Sequence, residues 1–309
     1  MRILVTGATG FTGGYLLEEL AVASPSGHEI IAVSRNNSGK LPESVTFYKA
    51  DLTSYRETLE CVNASNPDAI IHLAGIRAGD LGDLLSVNVM GTKHLLDAVC
   101  ESGIDPAVLV TSSSAVYGYA GELPITEDTP FRPVNDYGVS KAAQDALALS
   151  YHFRHDLKVS VARPFNLTGP AQDDSLVLGK LVRRWVESEK GGEKVELFNT
   201  GSMRDFIDIR DAVRAYRMIV ESPSFPDLCA GKVFNIGSGR PNSIDDAIGL
   251  MREITGSNVE ITATDSGFKE PVPSQQADIR AVRLLGWEPE IPFGKTLLDM
   301  YIHMVGGMK

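Results

Sequence analysis

The chain has 309 residues, 43% hydrophobic and 22% charged, enough for a large core in one domain or in two closely joined ones. A net charge of −11 argues against a nucleic-acid partner, because a phosphate backbone needs a basic face. Cys61, Cys100 and Cys229 are far apart, odd in number and outside any metal-ligand spacing. They read as reduced thiols rather than a disulfide framework or a zinc site.

Met1-Arg2-Ile3-Leu4-Val5 is too short an apolar run for a signal peptide. No stretch reaches the ~18 apolar residues of a membrane span. A soluble, cytoplasmic protein with no membrane partner is expected.

In chain order, Ile3–Val5 reads as a buried strand and Gly14–Ala23 as a helix. Glu29–Val33 and Val45–Tyr48 are the next strands, followed by a helix over Tyr55–Asn63. Ala69–Leu73 is a fourth strand, then a helix from Leu84 to Glu101. Ala107–Val110 is a fifth strand, Asp136–His155 a helix, and Lys158–Ala162 a sixth strand. Strands alternating with helices predict an α/β, Rossmann-type, doubly wound parallel sheet. Strands apolar at every position fit a sheet covered on both faces.

Beyond Pro164, turns at Gly169-Pro170, Gly191-Gly192, Gly237-Ser238-Gly239 and Pro271-Val272-Pro273 separate shorter elements. A smaller C-terminal substrate-binding lobe is expected there. Residues 1–163, with returning segments about 202–240, would form the dinucleotide domain. Residues 164–201 and 241–309 would form most of the lobe, with a ligand cleft between the two.

Gly7, Gly10 and Gly13 lie between the first strand and the first helix. Residues without Cβ let this turn close tightly and let backbone approach a pyrophosphate. The helix N-terminus then offers free N–H groups and its positive dipole end. The second strand runs into Ser34-Arg35-Asn36-Asn37 with no acid to hold a ribose 2′-hydroxyl. Arg35 suits a 2′-phosphate instead, so NADP(H) is favoured over NAD(H). Asp51 has two open readings: contact with the adenine amino group, or a helix N-cap in competition with Thr53.

Tyr137 and Lys141 stand one helical turn apart on one face. An ammonium beside a phenol favours the phenolate, so the expectation is a depressed tyrosine pKa and proton exchange with an alcohol or ketone. Thr111-Ser112-Ser113-Ser114 ends the fifth strand, on the edge of a doubly wound sheet that faces the ligand crevice. A serine there can hydrogen-bond the reacting oxygen, while its neighbours satisfy local backbone.

The glycine turn, His72-Leu73-Ala74-Gly75, Asn88, Ser112-Ser113-Ser114-Ala115-Val116-Tyr117-Gly118, the Tyr137/Lys141 pair and Arg204-Asp205-Phe206 together resemble the extended short-chain dehydrogenase/reductase family that acts on nucleotide sugars. The resemblance covers nearly the whole chain. It implies Ser113, Tyr137 and Lys141 as the catalytic set, with Lys141 also holding the nicotinamide ribose. Asn88 would either support that geometry or serve as a cap or interior amide. Gly7, Gly10, Phe11, Thr12, Gly13, Arg35, Asn36, Asp51, Leu52, Leu73, Ala74, Gly75 and Pro164 would line the cofactor site. Ser113, Asn166, Val177, Lys180 and Arg204 would meet the nucleotide sugar, the two cations suiting a diphosphate.

Family dehydratases carry an acid pair after the catalytic Ser/Thr. Here Ser114 and Ala115 occupy those positions, which disfavours dehydration. Ser34–Asn37, Arg163–Asn166, Arg204–Asp211 and Leu285–Pro289 resemble members that reduce GDP-4-keto-6-deoxy-mannose. The expected activity is therefore NADPH-dependent reduction of a sugar C4 ketone, giving GDP-rhamnose. A 4-epimerase with bound NAD and a catalytically silent NADP-binding regulator are the alternatives. Phe268-Lys269-Glu270-Pro271-Val272-Pro273 lacks the arginine that often clamps the diphosphate in this family. A homodimer through the helices around Val89–Cys100 and Ala142–His155 completes the expectations.

Overall fold

The apolar run after Met1 forms β1 (Arg2–Thr6), whose Ile3, Leu4 and Val5 are almost wholly buried. In the computed structural model, which describes residues 1–23, 27–37, 41–192, 194–264 and 272–307, this strand lies in the interior of a seven-stranded sheet. The chain continues through α1 (Phe11–Ala23), β2 (Glu29–Ser34), β3 (Val45–Lys49), α2 (Tyr55–Ser65) and β4 (Ala69–His72). Next come α3 (Leu81–Leu84), α4 (Gly91–Ser102), β5 (Ala107–Thr111), α5 (Asp136–His155) and β6 (Val159–Pro164).

The order β10-β6-β5-β4-β1-β2-β3, with β10 at Val233–Ile236, is parallel throughout. β1 pairs with both β2 and β4: Ile3 sits between Ile30 and Ala69, and Thr6 between Val33 and His72. The strand order therefore reverses at β1, the point beyond whose carboxyl end doubly wound sheets bind ligands.

Each face of the sheet has its own core. One packs Leu16, Leu17 and Leu20 of α1 against Ala212, Val213 and Tyr216 of α7 (Ile209–Val220) over Ile3, Val5 and Ile71. The other packs Cys61 and Val62, Leu95, Leu96 and Val99, and Ala148 and Tyr151 over Leu4, Ile70 and Val108.

After β6 the chain forms β7 (Asn166–Thr168), α6 (Val177–Glu189), β8 (Val195–Phe198) and β9 (Arg204–Asp208). Beyond α7 come α8 (Phe225–Leu228), β10, β11 (Pro241–Asn242), α9 (Ile244–Thr255), β12 (Ile261–Thr264), α10 (Arg280–Arg283) and α11 (Phe293–Gly307). A separate core joins Leu178, Leu181, Val182 and Trp185 of α6 to Phe206, Ile248, Met251, Leu297 and Met300. The sheet β7-β9-β11 and the pair β8-β12 belong to this part of the molecule. Asp205 anchors it: its buried carboxylate accepts from Ser238 N (2.6 Å), Gly239 N (2.9 Å) and Ala277 N (2.9 Å).

Two local departures from the sequence expectations have clear causes. The helix predicted to start at Leu84 begins at Leu81, where Asp80 Oδ1 accepts Asp83 N at 2.9 Å and caps it. Its next six residues, Leu85–Met90, form a π-helical turn before α4, a widening that recurs at functional sites. Asp51 does not cap α2, and neither does Thr53. Ser54 does, accepting Glu57 N, while Asp51 Oδ1 binds Thr53 N and Oγ1 at 3.0 and 2.8 Å.

Candidate active site

A cleft of ≈ 710 Å³ opens at the carboxyl ends of the central strands, within the size range of cofactor sites. The glycine turn forms its floor. Gly7 sits at φ +67°, and a Cβ there would meet Ala74 N at 2.7 Å and Leu73 C at 2.8 Å. Only glycine lets the β1–α1 turn lie this close to the chain leaving β4. Gly10, Phe11, Thr12 and Gly13 line the cleft above it, at the end of α1 whose first-turn N–H groups have no acceptor within the helix. No acidic side chain occupies that turn. A dinucleotide pyrophosphate fits this cradle on both shape and charge.

Arg35, Asp51 and Leu52 line one end of the cleft, and Leu73, Ala74, Gly75 and Pro164 line its wall. Of the cofactor residues read from the sequence, Asn36 alone stands outside the lining. It is exposed, and its N–H approaches Ser34 Oγ at 3.4 Å. Arg35 is exposed as well, as a phosphate-binding cation at a rim should be. Its charge helps hold the Asp51 carboxyl below the usual range, after the hydrogen bonds from Thr53.

The tyrosine–lysine pair sits where β5 and α5 meet. Asn135 caps α5, accepting Gly138 N at 2.8 Å. Gly138 lets that first turn rest on the backbone after β5: a Cβ would meet Ala115 O at 2.7 Å. The contact sets Tyr137 near Ser113, whose hydroxyl lowers the pKa of the phenol. Ser113 Oγ also accepts Ala115 N at 3.2 Å, capping the 3-10 turn Ser114–Val116. Ser112 Oγ instead reaches Lys141 O at 3.4 Å, and Ser114 is buried.

Lys141 lines the cleft but is almost fully buried. Its ammonium donates to Thr111 O (2.8 Å) and Gln144 Oε1 (2.7 Å). Burial pulls its pKa down to about 8, opposed by the Asp145 charge. The depressed tyrosine pKa expected from this lysine is not what the site shows. Burial pushes the Tyr137 phenol up, and the Ser113 hydrogen bond and Arg77 charge offset only part of that. The ammonium is spent on two neutral acceptors. A phenol raised in this way holds its proton at neutral pH and is suited to donate it.

Asn88 resolves as an interior amide with a positioning role. Its Oδ1 accepts Ile76 N at 2.8 Å, and its Nδ2 donates to Ile76 O (2.9 Å) and Ser140 Oγ (3.0 Å). It therefore ties the loop after β4 to α5. Gly75, in that loop, faces both Asn88 and Lys141.

The residues expected to hold a substrate are more dispersed. Val177 and Lys180 lie in the first turn of α6. Asn166 lies on β7, donating to Asp205 O at 3.1 Å, and Arg204 begins β9, donating to Met203 O at 2.9 Å. None of the four is in the cleft lining, and neither is Ser113, the fifth residue expected there, although Thr111 and Ser112 before it are; Gln172, Asp173 and Leu176, just before α6, line the cleft. Phe268–Pro271 fall outside the described residues. Arg77, also unforeseen, bridges the cleft: it donates to Ser175 and stands 3.5 Å from Asp173 Oδ1. The available signal was a cation two residues past His72-Leu73-Ala74-Gly75 and a Gln-Asp pair after Gly169-Pro170.

Known proteins resemble this chain in sequence and fold. The chain is 31% identical to GDP-6-deoxy-D-mannose reductase of Pseudomonas aeruginosa, over 96% of this chain and 94% of that one. RMD of Pseudomonas aeruginosa, solved with NADPH, superposes with a TM-score of 0.85 at 28% identity over 99% of this chain and all of that one. MoeE5, solved with UDP-glucose and NAD, gives 0.85 at 29% identity over the full length of both. The model of the NAD dependent epimerase/dehydratase family matches residues 3–237, and the chain belongs to that family of nucleotide-sugar epimerases, dehydratases and reductases.

Proposed function

We propose that this protein reduces the C4 ketone of a nucleotide-activated 4-keto-6-deoxy sugar, with NADPH as the preferred reductant. The observation that carries the reading is Tyr137 and a buried Lys141 lining one cleft with the glycine turn, with Ser114 and Ala115 where an acid pair would be needed for dehydration. Arg35 at the end of β2, with no acid on that turn, supports NADPH.

A bound reduced dinucleotide supplies the hydride. Gly7, Gly10 and the first turn of α1 hold its pyrophosphate, and Arg35 its 2′-phosphate. Ser113 donates a hydrogen bond to the ketone oxygen. Tyr137 gives that oxygen its proton as negative charge develops there. Lys141 holds positive charge beneath the phenol and presents an N–H to the nicotinamide ribose. Gln172 and Asp173 from the facing lobe and Arg77 from the loop after β4 meet the sugar and its diphosphate, with Asn166, Val177, Lys180 and Arg204 as further substrate contacts. GDP-4-keto-6-deoxy-mannose is the substrate we favour, with GDP-rhamnose as product, on the likeness to the Pseudomonas aeruginosa reductase.

A panel of nucleotide 4-keto-6-deoxy sugars, each assayed with NADPH and NADH by loss of nicotinamide absorbance, tests the reading. Stoichiometric NADPH consumption with a C4-hydroxyl product supports it. Tightly held NAD with interconversion of C4 epimers and no net consumption would replace it with an epimerase.

A further inference from the structure

Behind Lys141 lies a closed set of buried side chains that the proposed reaction does not itself use. Gln144, Thr92 and His72 are fully buried. An ammonium has three donors and no acceptor, so Gln144 must turn its oxygen to Lys141, at 2.7 Å. Its Nε2 then faces Thr92 Oγ1, also at 2.7 Å, and that hydroxyl must accept. Thr92 sends its single hydrogen to Asn88 O at 2.6 Å. His72 Nε2, 2.9 Å from Thr92 Oγ1, is therefore a donor, and Nδ1 accepts from Thr6 Oγ1 at 2.7 Å. Thr6 Oγ1 in turn accepts Ala74 N at 3.3 Å, on the cleft wall. Every link has one allowed polarity.

We propose that Gln144 and Thr92 are positioning residues for Lys141: Thr92 fixes which way the Gln144 amide faces, and Gln144 together with Thr111 O holds the ammonium so that its remaining N–H serves the cleft. A flipped amide would set its NH₂ against the ammonium and its oxygen against a hydroxyl already committed to Asn88. A lysine without this acceptor keeps only the Thr111 carbonyl, in a setting stripped of water, and its charged form loses ground.

The groups facing the ammonium bear this out. Asp145, on the same helix, is held by Arg163 at 2.8 Å. His72, on β4, is neutral, because burial and the Lys141 charge pull its pKa down to about 3. Tyr137 lies one turn away with its proton retained, and Arg77 adds positive charge beyond it. None of these substitutes for the Gln144 oxygen.

The inference rests on Lys141 belonging to the proposed site, but its test does not. Enzyme labelled with [ε-13C]lysine, with Lys141→Arg to assign the signal, reports the Lys141 titration without substrate or cofactor. Gln144→Met, close in shape, should weaken the proton affinity of Lys141 about tenfold or more, and Gln144→Glu should strengthen it. Thr92→Val should move it the way Gln144→Met does, and Thr92→Ser should restore it. Opposite shifts from Met and Glu are not expected of general damage. An unchanged Lys141 midpoint in folded Gln144→Met and Thr92→Val enzymes would overturn the proposal. If the midpoints shift while the pH profile of turnover stays put, the positioning stands and the assigned role of Lys141 in the reaction fails.

Discussion

Gly138→Ala is the sharpest probe of how the reacting groups are brought together. The added Cβ would lie 2.7 Å from Ala115 O and 3.0 Å from Pro133 Cβ. Ordinary contact begins at 3.4 Å, so α5 and the turn after β5 must separate by about 0.7 Å, and both sides are backbone or ring. Ser113 caps that turn and Tyr137 lies in the first turn of that helix. The separation is therefore imposed on the distance between them. A misplacement near 1 Å costs roughly 100-fold in rate, so we expect kcat to fall roughly 30- to 100-fold. Overpacking costs about 1–3 kcal/mol of stability. NADPH affinity should change less than about threefold, because Gly138 does not line the cleft. The assay compares kcat on the keto sugar, NADPH binding by fluorescence, and thermal unfolding. Turnover within twofold of the parent would refute the claim that this contact sets the Ser113–Tyr137 geometry.

Tyr137→Phe should lose about 10²- to 10⁴-fold in kcat while binding NADPH nearly as well, checked by turnover and by equilibrium binding on the same sample. Arg35→Asp should shift the ratio of NADPH to NADH affinity by about tenfold or more against NADPH, since a charge-assisted contact is worth about 1.5–3 kcal/mol. Arg163 grips Asp145 through Nε at 2.8 Å and Nη2 at 3.1 Å, with both groups buried. Arg163→Met strands that carboxylate and should cost about 3–5 kcal/mol in unfolding experiments, and adding Asp145→Leu should recover much of it. His72 has its pKa pulled down to about 3 from 6.5 by burial. Its neutral form therefore contributes stability that is complete above 6.5 and lost as pH falls towards 3. Denaturant unfolding between pH 7 and 5 should show a slope approaching about 1.4 kcal/mol per pH unit from this group, which His72→Asn should abolish.

The dinucleotide half was legible because each of its signals is local. Ile3-Leu4-Val5 meeting Gly7 shows a strand, a turn and a helix start within a dozen residues, and the structure differs only in starting α1 at Phe11 rather than Gly14. Tyr137 and Lys141 needed only the period of a helix. The facing lobe was less legible, since its contribution depends on where whole elements cross. Lys180 and Arg204 carry the right chemistry for a diphosphate, yet the chain lines the cleft at Gln172, Asp173 and Leu176. β10 was hidden for the same reason: four residues before a glycine turn become the seventh strand only when Val233 pairs with Val161, far away in sequence. The error over the tyrosine pKa has another origin. Spacing shows that a lysine is near, but not that its ammonium is engaged elsewhere.

What separates this site from a tyrosine and a lysine that merely share a helix face is the polar structure buried beneath it. Under β4 and β5, Lys141 leans on Gln144, Thr92 and His72. Under β6 and β10, Arg163 joins Asp145 to Tyr117 Oη at 2.8 Å, and the Tyr117 hydroxyl donates to Asn235 Oδ1 at 2.7 Å. Buried networks of this kind are costly if any member is left unpaired, and rigid when all are satisfied. Each lies by a strand end that lines the cleft, Thr111 of β5 for the first and Pro164 of β6 for the second. A stabilising role alone would be served as well by apolar packing. Placing two fully paired networks at the carboxyl ends of four adjacent strands fixes α5 against the sheet in one register, and with it the approach of Tyr137 to Ser113.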